Sequence, residues 1–549
     1  VSALLPAVEA HIPPPLQAAV SERMTAAVQE RVEQRLRDAD ATLWAPPGTP
    51  EVANRLGWLT IAQRSLQLLG DLQAFARQAV DDGFTDAVLL GMGGSSLAPE
   101  VLRRTFAGQA QGLRLHVLDT TDPATIRATQ AMLDPQRTLF IVSSKSGGTI
   151  EPLSLFAHFE PFAGSGSRFI AITDPGTGLE QLAAEHGFRR VFHGDPEIGG
   201  RYSALSAFGI VPAALMGVDI GALLEGAPAA WQTPLEAPPA DIPAGGIAAA
   251  VWLGVTLSAL ASAGRDKLTF SIARSLPGLG LWLEQLFAES TGKQGTGILP
   301  VAEEPLLDPG AYGEDRVFAY LQDAPEADVE RRLLALADAG HPVIRIPTRG
   351  PLDLGRVFLL AEIAVAAAGW GLGINPFDQP NVQQAKDATN RVLAEYEADG
   401  SLSEPPDAGD AQLRPLLFGA EPPEYVALMA YLQPSAELDA AAAELREAIM
   451  RRTRATTTFG YGPRFLHSTG QFHKGGPPVG RFLQLLHETP PDVDIPGRPF
   501  SFGTLKEAQA LGDLHTLRAL GRPAERARLQ GADAAGALRE LTAKLKESP

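Results

Sequence analysis

A doubly wound α/β protein built on parallel sheets is the fold class this sequence predicts, and three junctions predict it. Asp86-Ala-Val-Leu-Leu90 runs into Gly91-Met-Gly-Gly-Ser95, Leu139-Phe-Ile-Val142 runs into a stretch of hydroxyls and glycines, and Phe169-Ile-Ala-Ile-Thr173 ends on Asp174-Pro-Gly176. Each is a short apolar run that stops at a turn and gives way to helical periodicity, the signature of strand, loop and helix. Repetition of that unit specifies a parallel sheet with helices on both faces, and ligands gather at the strand carboxyl ends.

The elements follow in order. Residues 15–40 read as an amphipathic helix, with Leu16, Val20, Met24, Val28 and Val32 spaced by fours. A helical pair over roughly 60–80 precedes the strand at 86. The strand Leu113–Leu118 ends on Asp119-Thr-Thr-Asp-Pro123, and residues 226–246, rich in Pro, Ala and Gly, read as a linker. Further strands are expected near Lys267–Ile272, Val317–Leu321 and Pro342–Pro347, with a helix at 355–370. The acidic, proline-rich stretch 398–424 reads as a surface excursion. Beyond it come a strand at Tyr425–Tyr431, a helix at 435–453, a strand at Thr456–Phe459 and helical residues near 503–520.

With 549 residues the chain exceeds what one core serves, so two large units plus appendages are expected. Hydrophobic residues at 45% and charged residues at 20% suit a globular enzyme. Zero cysteines exclude disulfides, thiolate metal sites and cysteine nucleophiles, which agrees with a reducing cytoplasm. A formal charge of −18 argues against general nucleic-acid binding, because a polyanion would be repelled over most of the surface. No cationic segment ahead of an apolar one marks a signal peptide. The uncharged run Gly245–Gly264 has about the length of a membrane span, but its Ala, Gly and Ser content points to a buried helix, so no membrane partner is expected.

The Phe140–Pro152 stretch carries the first chemistry. Unpaired amides in the first turn of a helix, the helix dipole and glycines that let an anion approach the backbone make a phosphate site. Ser144, Ser146 and Thr149 add hydroxyl donors there, and Lys145 a point charge. The Gly91 loop brings Gly94 and Ser95 toward the same ligand. It also carries an imperfect dinucleotide fingerprint, with Ser96 in place of a third glycine and Asp119 as a ribose acid set too far along. In the segment 281–290, Gln285 and Glu289 share a helix face, and Glu289 falls in the last turn before a glycine-rich break. There the helix dipole opposes a carboxylate and raises its pKa toward general-base range.

Five blocks taken together resemble the glucose-6-phosphate isomerase family. They are Gly91-Met-Gly-Gly-Ser95, Ser144-Lys-Ser-Gly-Gly-Thr-Ile-Glu-Pro152, Gly200-Arg-Tyr-Ser203, Glu289-Ser-Thr-Gly-Lys293 and Asn375-Pro-Phe-Asp-Gln-Pro-Asn-Val-Gln-Gln-Ala-Lys386. They appear in the family's order. The region Asp492–Gly512 and the general style resemble the isomerase part of bifunctional transaldolase/phosphoglucose isomerases, which implies a transaldolase domain in a longer chain. The family's histidine segment ordinarily lies between the fourth and fifth blocks, whereas here the matching His467-Ser-Thr-Gly-Gln471 follows Lys386, with His473 as a rival.

The resemblance implies two sugar-isomerase domains, at 61–230 and 247–480, between a helical arm at 1–60 and a helical extension at 481–549. It implies interconversion of glucose 6-phosphate and fructose 6-phosphate with no cofactor or metal. Glu289 would be the base, Arg201 would hold the enediolate oxygen, and Lys386 and His467 would move protons during ring opening. Gly94, Ser95, Ser144, Lys145, Ser146 and Thr149 would hold the phosphate, and Gln285 and Gln379 would hydrogen-bond sugar hydroxyls or the neighbouring phosphate. A homodimer with a histidine lent across the interface is the family's habit. The rival readings are a non-catalytic sugar-phosphate sensor and a nicotinamide-dependent oxidoreductase using the Gly91 loop.

Overall fold

The computed structural model describes residues 5, 7–109, 111–236, 247–487 and 491–547. Fourteen strands among these form three sheets. The first contains β2 (Asp86–Leu90), β3 (Arg114–Leu118), β4 (Thr138–Ser143), β5 (Phe169–Thr173) and β6 (Arg190–His193), all parallel and in the order β3-β2-β4-β5-β6. β2, β4 and β5 are buried throughout, as strands covered on both faces must be, which is why they read as unbroken apolar runs.

The strand order reverses between β2 and β4, where Leu90 lies opposite Val142. The two glycine turns leaving those strands therefore stand side by side at a topological switch point, the crevice where α/β sheets bind ligands. Ser143 Oγ ties them by donating to the Ser95 carbonyl at 3.0 Å.

The second sheet holds β1 (Glu9–His11), β7 (Lys267–Ile272), β8 (Leu299–Val301), β9 (Arg316–Gln322) and β10 (Val343–Pro347), in the order β1-β10-β9-β7-β8 with β1 antiparallel. Its core is the pair of apolar helices Ala249–Ser262 and Leu354–Leu372. These cross so closely that a Cβ at Gly254 would stand 2.0 Å from the Ala364 carbonyl oxygen. The expected buried helix in 245–264 is the first of this pair. Among the described residues no helix is long and apolar enough to cross a membrane.

The third sheet, β11 (Tyr425–Tyr431), β12 (Thr456–Tyr461), β13 (Gly480–His487) and β14 (Ala524–Leu529), is parallel in the order β12-β11-β13-β14. Two of its strands lie where the sequence suggested a boundary at 480 and a helical extension. β14 reads Ala-Glu-Arg-Ala-Arg-Leu, and its buried Arg526 is paired with Glu404, Asp407 and Glu507, so charge hides the apolar pattern of the strand.

Other differences have local causes. The amphipathic segment 15–40 is two helices, Pro14–Gln29 and Val32–Arg37, broken at Arg31 with φ of 55°; Val28 is exposed rather than in the stripe. The linker reading fails at 227–232, a helical turn that buries Ala227 and Ala230, and Leu235 bridges Val8; residues 237–246 lie outside the described residues.

The third-sheet unit docks on the turn after β3. Arg464 donates Nε and Nη2 to the two oxygens of Asp119, both at 2.7 Å, and Lys506 Nζ lies 3.0 Å from Asp122 Oδ2. Asp119 is buried in that pair, which removes it as a ribose acid. Arg464→Met strands a buried carboxylate, so it is expected to destabilise the docked state by about 3 kcal/mol, seen as a lower melting temperature and early proteolysis beyond residue 400. Unchanged melting would show that the pair does not hold the units together.

Candidate active site

The site forms where the three sheets meet. From the first comes the Gly91–Ser95 turn, with Gly93 at φ +56° and Gly94 against the next loop: a Cβ there would stand 2.2 Å from the Gly200 carbonyl oxygen. That contact places the residue after Gly200, Arg201, whose side chain is 1% exposed. The guanidinium donates Nε to Ser290 Oγ at 2.7 Å and Nη1 to Gln379 Oε1 at 2.7 Å. Its Nη2 donates to the carbonyls of Pro376 and Asp378, at 2.6 and 3.1 Å. Nη1 also lies 3.4 Å from Glu289 Oε2.

Gln285, Glu289 and Ser290 ride on the helix Leu279–Thr291, every turn of which is packed because it runs between units. Glu289 is buried, and burial pushes its carboxyl above the ordinary value even though Arg201 and His467 pull it down. The direction matches the helix-terminus expectation, but the leading cause is desolvation. Just past the helix, Lys293 Nζ donates to the carbonyls of Asn375 and Asp378, both at 2.5 Å, and to Asp378 Oδ1 at 2.6 Å. Burial brings it down to about 7. Arg201 and Lys293 thus pin the loop that presents Gln379 and leads to Lys386.

The third unit delivers His467 on the turn after β12. Its carbonyl accepts from Gln285 Nε2 at 2.9 Å, and Gln285 Nε2 also reaches Glu289 Oε2 at 3.4 Å. Gly93 makes room for it, since a Cβ there would be 3.0 Å from His467 Cβ. His467 Nε2 lies 2.9 Å from Glu151 Oε1. Burial raises Glu151, but the charge and hydrogen bond of His467 outweigh it and hold the carboxyl below its ordinary value. An ionised carboxylate only accepts, so Nε2 carries the proton; in the neutral ring Nδ1 is then the free base. His473 is a different case: fully buried, stacked on Tyr425, hydrogen-bonded to its hydroxyl at 2.9 Å and driven down to about 3 by burial. It packs the third sheet.

A narrow cleft of about 100 Å³ lies beside these parts, lined by Gly148, Thr149 and Glu151 on one side and by Lys386, His467 and Gln509 on the other. Glu289 and Arg201 are not in its wall and connect to it through Gln285 and the His467 carbonyl. Ser144 Oγ donates to Thr149 Oγ1 at 3.0 Å and Ser146 Oγ lies 3.5 Å from it, so the three hydroxyls form one cluster. Lys386 stands exposed on the helix Pro380–Asp399. Lys145 is turned elsewhere, onto Asp174 and the Asp195 carbonyl at 2.8 Å, and burial lowers its pKa. Sequence reasoning missed Glu151, Lys293 and Gln509 as site residues. The first two stood inside quoted motifs; nothing local marks Gln509, which arrives from a helix in the third unit.

The fold and the site define a doubly wound α/β protein in which Arg201, Gln285, Glu289 and His467 gather beside the glycine turns of a strand-order switch point. The phosphoglucose isomerase family model matches residues 70–299. Glucose-6-phosphate isomerase of Rubrobacter xylanophilus is 31% identical over 415 residues, covering 66% of this chain and 92% of the relative. That of Thermosynechococcus vestitus is 32% identical, covering 57% and 66%. Among solved structures, a hypothetical protein of Thermus thermophilus superposes with a TM-score of 0.58 at 26% identity, over 70% of this chain and 100% of its own. A glucose-6-phosphate isomerase of Chlamydia trachomatis shares the fold, with a TM-score of 0.51 at 18% identity over 70% and 86%. The chain belongs to the phosphoglucose isomerase family.

Proposed function

We propose that this chain interconverts glucose 6-phosphate and fructose 6-phosphate through a cis-enediol, with the roles set by the site described above. The observation that carries it is the placement of Glu289: buried, raised, 3.4 Å from Arg201 and linked through Gln285 to His467 at the cleft. The hydroxyl cluster of Ser144, Ser146 and Thr149, with Gly94 and Ser95 beside it, holds the phosphate. Grip on that remote group positions C1 and C2 at Glu289.

Ring opening comes first. The anomeric hydroxyl loses its proton, the bond from C1 or C2 to the ring oxygen breaks as the carbonyl forms, and the ring oxygen takes a proton; His467 and Lys386 handle these two protons. Glu289 then removes the proton from C2 and returns it to C1, while a proton passes between the two oxygens, so no net charge or electron is gained. Arg201, whose donors are taken up by Ser290, Gln379, the 376 and 378 carbonyls and Glu289, stabilises the enediolate through its positive charge and through the Gln379 it holds. Lys145 acts on the anion at longer range unless it leaves Asp174.

A coupled assay for glucose 6-phosphate formed from fructose 6-phosphate tests the reading; binding without turnover would leave the sensor. Ser144→Ala with Thr149→Ala is expected to raise KM about 10-fold or more with a smaller change in kcat, because two phosphate donors go and the base stays. A loss confined to kcat would take the phosphate away from that turn.

A first unit at 61–230, a cytoplasmic location, a homodimer and a transaldolase domain in a longer chain belong to the same proposal; the expected boundary at 480 does not, because the third sheet runs across it. The motif resemblance supports the homodimer and the transaldolase domain. His467 reaches the cleft from its own chain, so the dimer is not needed to supply it; sedimentation of active protein tests the assembly.

A further inference from the structure

Glu151 does not meet His467 alone. Its Oε1 also accepts from Gln509 Nε2 at 2.7 Å, while Oε2 is buried with no protein partner. Gln509 is itself oriented, because its Oε1 accepts from Thr121 Oγ1 at 2.8 Å, which turns the NH₂ toward the carboxylate. Thr121 sits in the docking turn after β3, and Gln509 in the helix Phe502–Ala519 of the third unit. All three side chains of this chain of bonds lie at the edge of the cleft or just behind it, and Gln509 is 2% exposed.

We propose that Gln509 is a positioning residue for ring opening: its carboxamide, set by Thr121, locks the Glu151 carboxylate so that one oxygen holds His467 Nε2–H and Nδ1 faces the substrate. The inference rests on the reading of His467 as a ring-opening group. A carboxylate with one donor can rotate and offer either oxygen; a second donor on the same oxygen fixes both its plane and the imidazole it orients. Groups that orient a working histidine through its second nitrogen typically matter about 10- to 100-fold.

The test compares fructose 6-phosphate with its 5-deoxy analogue, which lacks the hydroxyl that closes the ring and needs no opening. Gln509→Leu keeps the volume and removes the N–H. It is expected to lower kcat/KM for fructose 6-phosphate by about 10-fold or more while the 5-deoxy analogue stays within about twofold. Thr121→Val, which frees the carboxamide to flip, should give the same pattern more weakly and serves if the leucine variant does not fold. Equal losses on both substrates, or no loss on either, would overturn the proposal. His467→Gln on the same pair separates the two readings. If it discriminates between the substrates and the Gln509 and Thr121 variants do not, positioning fails alone; if it does not discriminate, the ring-opening role falls and this inference with it.

Discussion

Glu289→Gln is expected to lower kcat by about 10³-fold and to leave KM within a few-fold, since it removes the group that takes the C2 proton and none of the phosphate donors. Glutamine has nearly the same shape and still has a carbonyl oxygen for Arg201 Nη1 and Gln285 Nε2, so the packing of the Leu279–Thr291 helix should survive. The second readout is wash-out of deuterium from C2 into water, which should vanish along with turnover. Persistent wash-out at the original rate would take the base role from this residue. In the unmodified protein, burial holds the Glu289 carboxyl above 4.5. Only the ionised form accepts a proton, so kcat/KM should decline as the pH falls through that raised value. An acid limb at or below 4.5 would contradict the burial.

Arg201→Lys is expected to cost about 10²-fold or more in kcat and to lower the melting temperature as well. Five donors in a fixed fork bind Ser290, Gln379, two backbone carbonyls of the 376–378 loop and the edge of Glu289. A single ammonium cannot span that arc, so it would leave buried acceptors unpaired and release the loop that carries Gln379. Partial recovery by added guanidinium would support loss of the fork itself. A lysine variant with unaltered kcat and melting would reduce Arg201 to a bystander.

Much of this architecture was legible because the first sheet's strands are buried on both faces and end at glycine turns; β2, β4 and β5 announce themselves as apolar runs. The converging turns were legible for the same reason, although their adjacency is a property of strand order. What was hidden is long-range. β14 is disguised by arginines whose partners lie at 404, 407 and 507, and the break at the exposed Arg31 falls on no glycine or proline that would have marked it. Glu151 looked like a first-turn acid of an ordinary helix, and only the arrival of residues 467 and 509 makes it something else. The choice between His467 and His473 turned on burial: six residues apart, one lies at the cleft and the other stacks under Tyr425.

The order in which the site's parts occur along the chain bears on its synthesis. Ribosomes work from the N-terminus, and domains fold largely as they emerge. A nascent polypeptide extruded through Lys386 already carries the Ser144–Thr149 turn and Glu289, yet it lacks His467. Competence is therefore expected to switch on only once residue 467 and the strands that hold it have emerged, so that chains terminated before it bind without turning over.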